Sequence, residues 1–190
     1  TSTDATAVSG GWKEIGRTTL GSSGDNISVA SLPDKRYLMV LTDKIGTANS
    51  GCWLRLNGDT GSNYAKRQSH NGGADSTGTS ETSGGAAVTA SGFPAFGVRY
   101  ISNKSDKEKL CISNFIEQNT AGAGTAPNRR ELVCKWANTA NAVNEVIEYN
   151  TDSGDYSSGA EVVVLGWDPD DTHTDNFWEQ LASVSGDGTS

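Results

Sequence analysis

EKLCISNFIE at 108–117 decides the fold, because Leu110, Ile112 and Asn114 recur at every second position and share one face. A period of two over ten residues predicts a β-strand rather than a helix. The flanking segments repeat the pattern. AFGVRYIS at 95–102 sets Val98 and Tyr100 on another face, and RRELVCKWA at 129–137 alternates again. Further strands are predicted at 11–20, 26–32, 35–43, 51–57, 62–69, 143–149 and 177–184. AEVVVLGW at 160–167 is apolar without alternation, as expected of a strand covered on both faces.

The connections read as turns and loops. Gly58-Asp59-Thr60-Gly61 is a hairpin signal between 51–57 and 62–69. Its Asp-Thr-Gly lacks the second copy that an aspartic protease dyad needs. The Gly/Ser/Thr/Ala stretch at 70–92 predicts a long exposed loop or an irregular edge strand, and 118–128 predicts a loop. About ten strands with long Gly/Ser-rich connections predict an all-β, jelly-roll-like antiparallel sandwich. An immunoglobulin-like topology is the second choice, because Trp53 directly follows Cys52 and the Cys-Trp-Cys spacing is lacking.

The length of 190 residues suits one domain at 11–184, with 1–10 as a flexible arm and 185–190 as a tail. Trp12 with Ile15 and Gly24-Asp25 is echoed by Trp178 with Leu181 and Gly186-Asp187. Either the echo opens a tandem copy, or the first and last strands are neighbours and both tryptophans enter one core.

The net charge of -8 is unevenly spread. All 15 Lys and Arg lie in residues 1–135, and 136–190 carry acids only. No dense basic stripe exists to contact phosphates, so nucleic acid is an unexpected partner. No apolar run is long enough to span a membrane. Cys52, Cys111 and Cys134 are odd in number and lack metal-site spacing. Cys111 and Cys134 read as small core residues, with a cross-strand bridge between them as the alternative.

Catalytic signals are weak. His70 and His173 are the two histidines, and no nucleophile-elbow motif is present. The turn at 168–176 is richer, with Asp168, Asp170, Asp171 and Asp175 interleaved with Thr172, Thr174 and Asn176. Such oxygen donors suit calcium, although the spacing is not that of an EF-hand. The competing reading is a hydrogen-bonded turn bent by Pro169. Tyr64, Tyr149, Tyr156, Trp136 and Trp167 are candidates for stacking on sugars, while Trp12, Trp53 and Trp178 read as core.

GWKEIGRTTLGSSGDNISV with LPDKRYLMVL at 11–41, LNGDTGSNYAKR at 56–67, NTAGAGTAPNRRE at 119–131 and EVVVLGWDPDDTHTDNFWEQLASV at 161–184 together resemble a group of phage virion structural proteins from marine viruses. The resemblance implies a β-sandwich displayed on an extracellular particle, as a capsid decoration or a tail or fibre component. It implies homo-oligomeric contacts with other virion subunits and supplies no catalytic residues or cofactor. The alternative expectation is a receptor- or carbohydrate-binding module that recognises a host-surface glycan, with calcium in the acidic turn.

Overall fold

The structure, a computed structural model, describes residues 11–85, 88–89, 92–118, 120–169 and 171. Thirteen strands lie among them: β1 (Lys13–Thr19), β2 (Asn26–Val29), β3 (Tyr37–Ile45), β4 (Ser50–Gly51), β5 (Trp53–Leu56), β6 (Tyr64–His70) and β7 (Ser76–Glu81), then β8 (Val88–Thr89), β9 (Pro94–Ser102), β10 (Lys109–Glu117), β11 (Asn128–Trp136), β12 (Val146–Tyr149) and β13 (Glu161–Trp167). Every pairing is antiparallel. Eight strands form one sheet in the order β1-β13-β3-β9-β10-β11-β6-β7, three form a second in the order β2-β12-β5, and β4 pairs with β8. The chain is thus the all-β antiparallel sandwich that its alternation predicts, divided unequally into eight strands and three.

The small sheet covers one face of the large one. Ile27 and Val29 of β2, Leu54 and Leu56 of β5 and Val146 of β12 meet Leu38, Val40, Ile101, Val162 and Val164 of the large sheet, each 3% exposed or less. Full burial of such a side chain contributes about 1.5–3 kcal/mol, which makes this half of the interior the main source of stability. β13 lies between β1 and β3, and Val162, Val163 and Val164 in succession are buried. That accounts for its unbroken apolar run.

Along the strands the interior changes character. The row Leu38, Ile101, Cys111, Cys134 is set by register and is apolar, whereas two rows away Thr42 stands beside Gly97 and Phe115, and next come Lys44, Ala95 and Glu117. Gly97 is required by packing. The Phe115 ring lies over it, and a methyl group there would overlap the ring.

Several sequence expectations change. Gly58–Gly61 is not a hairpin. β5 pairs with β12 and β6 with β11 and β7, so the turn carries the chain from one sheet to the other. The turn is anchored from the core. Asp59 accepts from Gly61 N (2.8 Å), Asn63 Nδ2 (2.9 Å) and Trp136 Nε1 (2.6 Å), and Trp136 stacks on Tyr64. The stretch 70–92 contains the edge strand β7, paired with β6, and the short β8. Val98 and Tyr100 do not occupy a different face from Asn114 and Ile112. They are cross-strand partners and lie on the same side of the large sheet. The arm 1–10, the tail 185–190, the strand expected at 177–184 and the Trp178 echo lie outside the described residues. β1 pairs with β13.

Candidate functional site

Two features exceed what a simple sandwich requires: a charged cluster between the sheets and an apolar outer face. The cluster centres on Arg99 of β9 and Glu148 of β12. Arg99 Nε lies 2.7 Å from Glu148 Oε1, and Nη2 lies 3.1 Å from Oε2. Arg99 also donates to Cys52 O (3.0 Å) and Ser113 Oγ (3.1 Å) and lies over the Phe115 ring. Burial opposes its charge, but the Glu148 carboxylate more than offsets this and raises the guanidinium pKa. The Cys52 thiol donates to Glu148 Oε2 at 2.9 Å. Burial, reinforced by the Glu148 charge, pushes that thiol up, away from the nucleophilic thiolate form. Lys44 donates to Ser50 O (2.7 Å) and Gly51 O (3.1 Å) beside the Tyr156 ring, and burial lowers its pKa.

Arg99, Glu148, Cys52 and Lys44 are each 2% exposed or less. Among the described residues, clefts of about 370, 240 and 430 Å³ open on the surface, and none of these four side chains lines them. The Arg99–Glu148 pair joins β9 of the large sheet to β12 of the small one, and Lys44 joins β3 to β4.

The outer face of the large sheet is different. Cross-strand register places Val133, Ile112, Tyr100, Met39 and Leu165 in one row across five strands. Ile112 is 58% exposed, Val133 48% and Tyr100 44%. The neighbouring row reads Lys135, Leu110, Ser102, Tyr37, Trp167, with Leu110 57% exposed. On the far side comes Arg129, Ile116, Phe96, Asp43. Between lies Glu131, Asn114, Val98, Leu41. A cleft of about 240 Å³ opens on this face between Trp12, Tyr37, Tyr100, Leu110 and Ile112, and almost no polar surface lines it.

Sequence reasoning put Trp12 in the core, yet it is 39% exposed and its ring centroid lies 6.4 Å from that of Tyr100 on the outer face. Four of the proposed sugar-stacking rings are buried instead: Trp136 and Tyr64 at 2%, Tyr149 at 6% and Tyr156 at 0%. Their hydroxyl and indole groups serve internal bonds, as when Tyr156 donates to Gly51 O and Tyr64 accepts from Leu56 N. Trp167 stacks on Tyr37 with centroids 5.4 Å apart. His70 ends β6 and is exposed, rather than lying in a loop.

The calcium set is only partly in view. Asp168 Oδ2 accepts from Arg36 N (3.2 Å), Asp171 pairs with Lys35, and Asp171 N donates to Asp168 O (3.1 Å). The Lys35 charge already neutralises Asp171. Asp170 and Asp175 lie outside the described residues, as does His173. Among the described residues no three His, Cys, Asp or Glu side chains gather as a metal set.

Cys111 and Cys134 face each other across β10 and β11 as free, buried thiols, and Cys52 is also free. The candidate residues that the sequence reading missed are those of the outer face. Their signal was present in 108–117, where Leu110, Ile112 and Ile116 make the even-numbered face aliphatic. Alternation separates two faces without saying which one is covered. No known protein family, curated protein or solved structure matches this chain.

Proposed function

We propose that the chain is a non-enzymatic structural protein of a phage particle, a rigid sandwich that holds neighbouring virion subunits through the outer face of its large sheet. The exposed row Val133, Ile112, Tyr100 carries this reading. Large contiguous apolar patches on a folded protein mark contact surfaces, because leaving them in water forfeits about 25 cal/mol per Å² that burial would return. The Arg99–Glu148 pair ties the two sheets together beneath that face and Lys44 ties β3 to β4, so the face meets a neighbour without reshaping. The resemblance to virion proteins supports the same reading. Capsid decoration and a tail or fibre position are both consistent with it.

Mass spectrometry of purified particles, followed by immunogold labelling, tests this. The chain should be present in fixed stoichiometry and at ordered positions. Its absence from particles, or a hydrolytic activity of the pure protein abolished by one carboxylate substitution, would overturn the reading.

A receptor- or glycan-binding role is favoured by one observation. The cleft of about 370 Å³ brings the Phe96 ring together with Asp43, Gln118, Thr120 and Thr125, which is an apolar platform beside polar groups. Glycan arrays with and without chelator address it, and chelator-sensitive binding would also place calcium on this protein.

A further inference from the structure

We propose that the outer face of the large sheet binds a second copy of this chain, face to face, about a two-fold axis that runs along the strands between β9 and β10. This rests on the reading of that face as a contact surface and names its occupant.

The first observation is area. Among the described residues, eight large apolar side chains, including Ile112, Leu110, Phe96 and Tyr100, are 39–58% exposed and lie on this one face, which is room for the about 800 Å² that a standard interface takes from each partner.

The second observation is that the face complements its own reverse. A two-fold axis along the strands exchanges β9 with β10 and β3 with β11 while keeping each cross-strand row at the same level. The row Arg129, Ile116, Phe96, Asp43 has a cation at one end and an anion at the other. Under this operation Arg129 meets the partner's Asp43, and Ile116 meets the partner's Phe96. Each such contact occurs twice, as an isologous interface requires. In the row Val133, Ile112, Tyr100, Met39, Ile112 lies on the partner's Tyr100 and Val133 on the partner's Met39.

Shape agrees with charge. In the row Lys135, Leu110, Ser102, Tyr37, the small Ser102 lies in the apolar cleft beside Trp12, Tyr37 and Tyr100. The exchange brings the partner's Leu110 onto Ser102, so an exposed leucine fills an apolar hole of about 240 Å³. Lys135 then stands over the partner's Tyr37. The row Glu131, Asn114, Val98, Leu41 places polar groups over apolar ones, and it is the part of the interface that retains water. An axis across the strands would instead reverse the order of rows and bring each Arg129 to the far end of the face from Asp43.

A charge-swap experiment by sedimentation velocity, from 1 to 200 µM, tests the proposal, with circular dichroism confirming that each variant folds. The wild-type protein should sediment at twice the 19.9 kDa chain mass. Asp43→Arg alone sets Arg against Arg twice, and Arg129→Asp alone sets Asp against Asp twice. Each should weaken the dimer at least tenfold. An equimolar mixture of the two variants should regain the dimer, because both cross-pairs are then of opposite sign. Ile112→Lys should abolish association. A monomer throughout the range overturns the proposal, including one in which Ile112→Cys resists labelling because another part of the same chain covers the face. A dimer indifferent to these substitutions, or a mixture that fails to recover, overturns it as well. None of these results bears on whether the chain is found in particles, so this failure is distinguishable from failure of the virion reading.

Discussion

Arg99 and Glu148 hold the two sheets together by a forked ion pair, with Nε–Oε1 at 2.7 Å and Nη2–Oε2 at 3.1 Å in a site 1% exposed or less. Desolvating such a pair costs much of what its attraction returns. Its physical consequence is therefore positional: β12 sits over β9 in one register because only there do both charges find partners.

Breaking the pair from one side should be far worse than removing it. Glu148→Leu leaves Arg99 charged and buried, and should cost about 3–5 kcal/mol in urea unfolding. The double variant Arg99→Met, Glu148→Leu should recover most of that loss. Equal destabilisation by the single and double variants would contradict this account.

Gly97 should tolerate no side chain while Phe115 lies over it. Gly97→Ala is expected to cost about 1–3 kcal/mol by overpacking. Combined with Phe115→Ala, the two losses should sum to more than the double variant shows, because the methyl group then occupies vacated space. A double-mutant cycle of thermal melts measures this coupling.

Asp59 should contribute a pH-dependent part of stability. Desolvation opposes its charge, but hydrogen bonds from Trp136, Asn63 and Gly61 outweigh that and hold its carboxyl below the ordinary 3.8. A folded pKa below the unfolded one stabilises the protein at pH values above the unfolded pKa, and that stability is lost as pH falls through the folded pKa. Asp59→Asn should therefore cost about 1 kcal/mol at neutral pH, the net contribution of a typical hydrogen bond at a partly exposed site. The gap between wild type and variant should close in acid, below about pH 4. A gap that stays constant down to pH 2 would show that the charge has no part in it.

Thiol chemistry should report unfolding. Cys52, Cys111 and Cys134 are free and buried, and burial raises the Cys52 pKa. Iodoacetamide at neutral pH should label none of them in the native protein and all three in urea, as read by intact mass. Rapid native labelling of Cys52 would mean that the closed interior described around Glu148 opens readily.

How far the sequence could be read depended on the residue. The β10 segment 109–117 was legible as a strand, because only a two-residue period places Leu110, Ile112 and Ile116 on one side. β13 was legible as a strand covered on both faces. Other features were not. Gly58–Gly61 carries the residues of a hairpin turn, yet the flanking strands pair elsewhere, since a turn bends the chain without choosing its partners. Tyr64 and Trp136 looked like stacking platforms in a polar sequence. Their burial follows from β6 pairing with β11, contacts that are 72 residues apart for that pair. Arg99 and Glu148 were not legible as a pair, because nothing local in either strand announces an ion partner 49 positions away.

By itself the sequence determined that the chain is an antiparallel β-protein, where most of its strands run and which side chains share a side within each strand. Those properties are local, set by backbone sterics and by the two-residue period of a pleated chain. Only the tertiary structure decided which of the two sides is covered. The small sheet is three strands wide and the large one eight, and it covers the side bearing Arg99, Cys111 and Phe115. It reaches that side because Ile27, Val29, Leu54, Leu56 and Val146 bury their apolar surface there, and the Arg99–Glu148 pair fixes its position. The more aliphatic side, with Leu110, Ile112 and Ile116, is left facing outward. Burial is a property of the whole assembly of strands, and so the surface most informative about function became visible only once they were placed together.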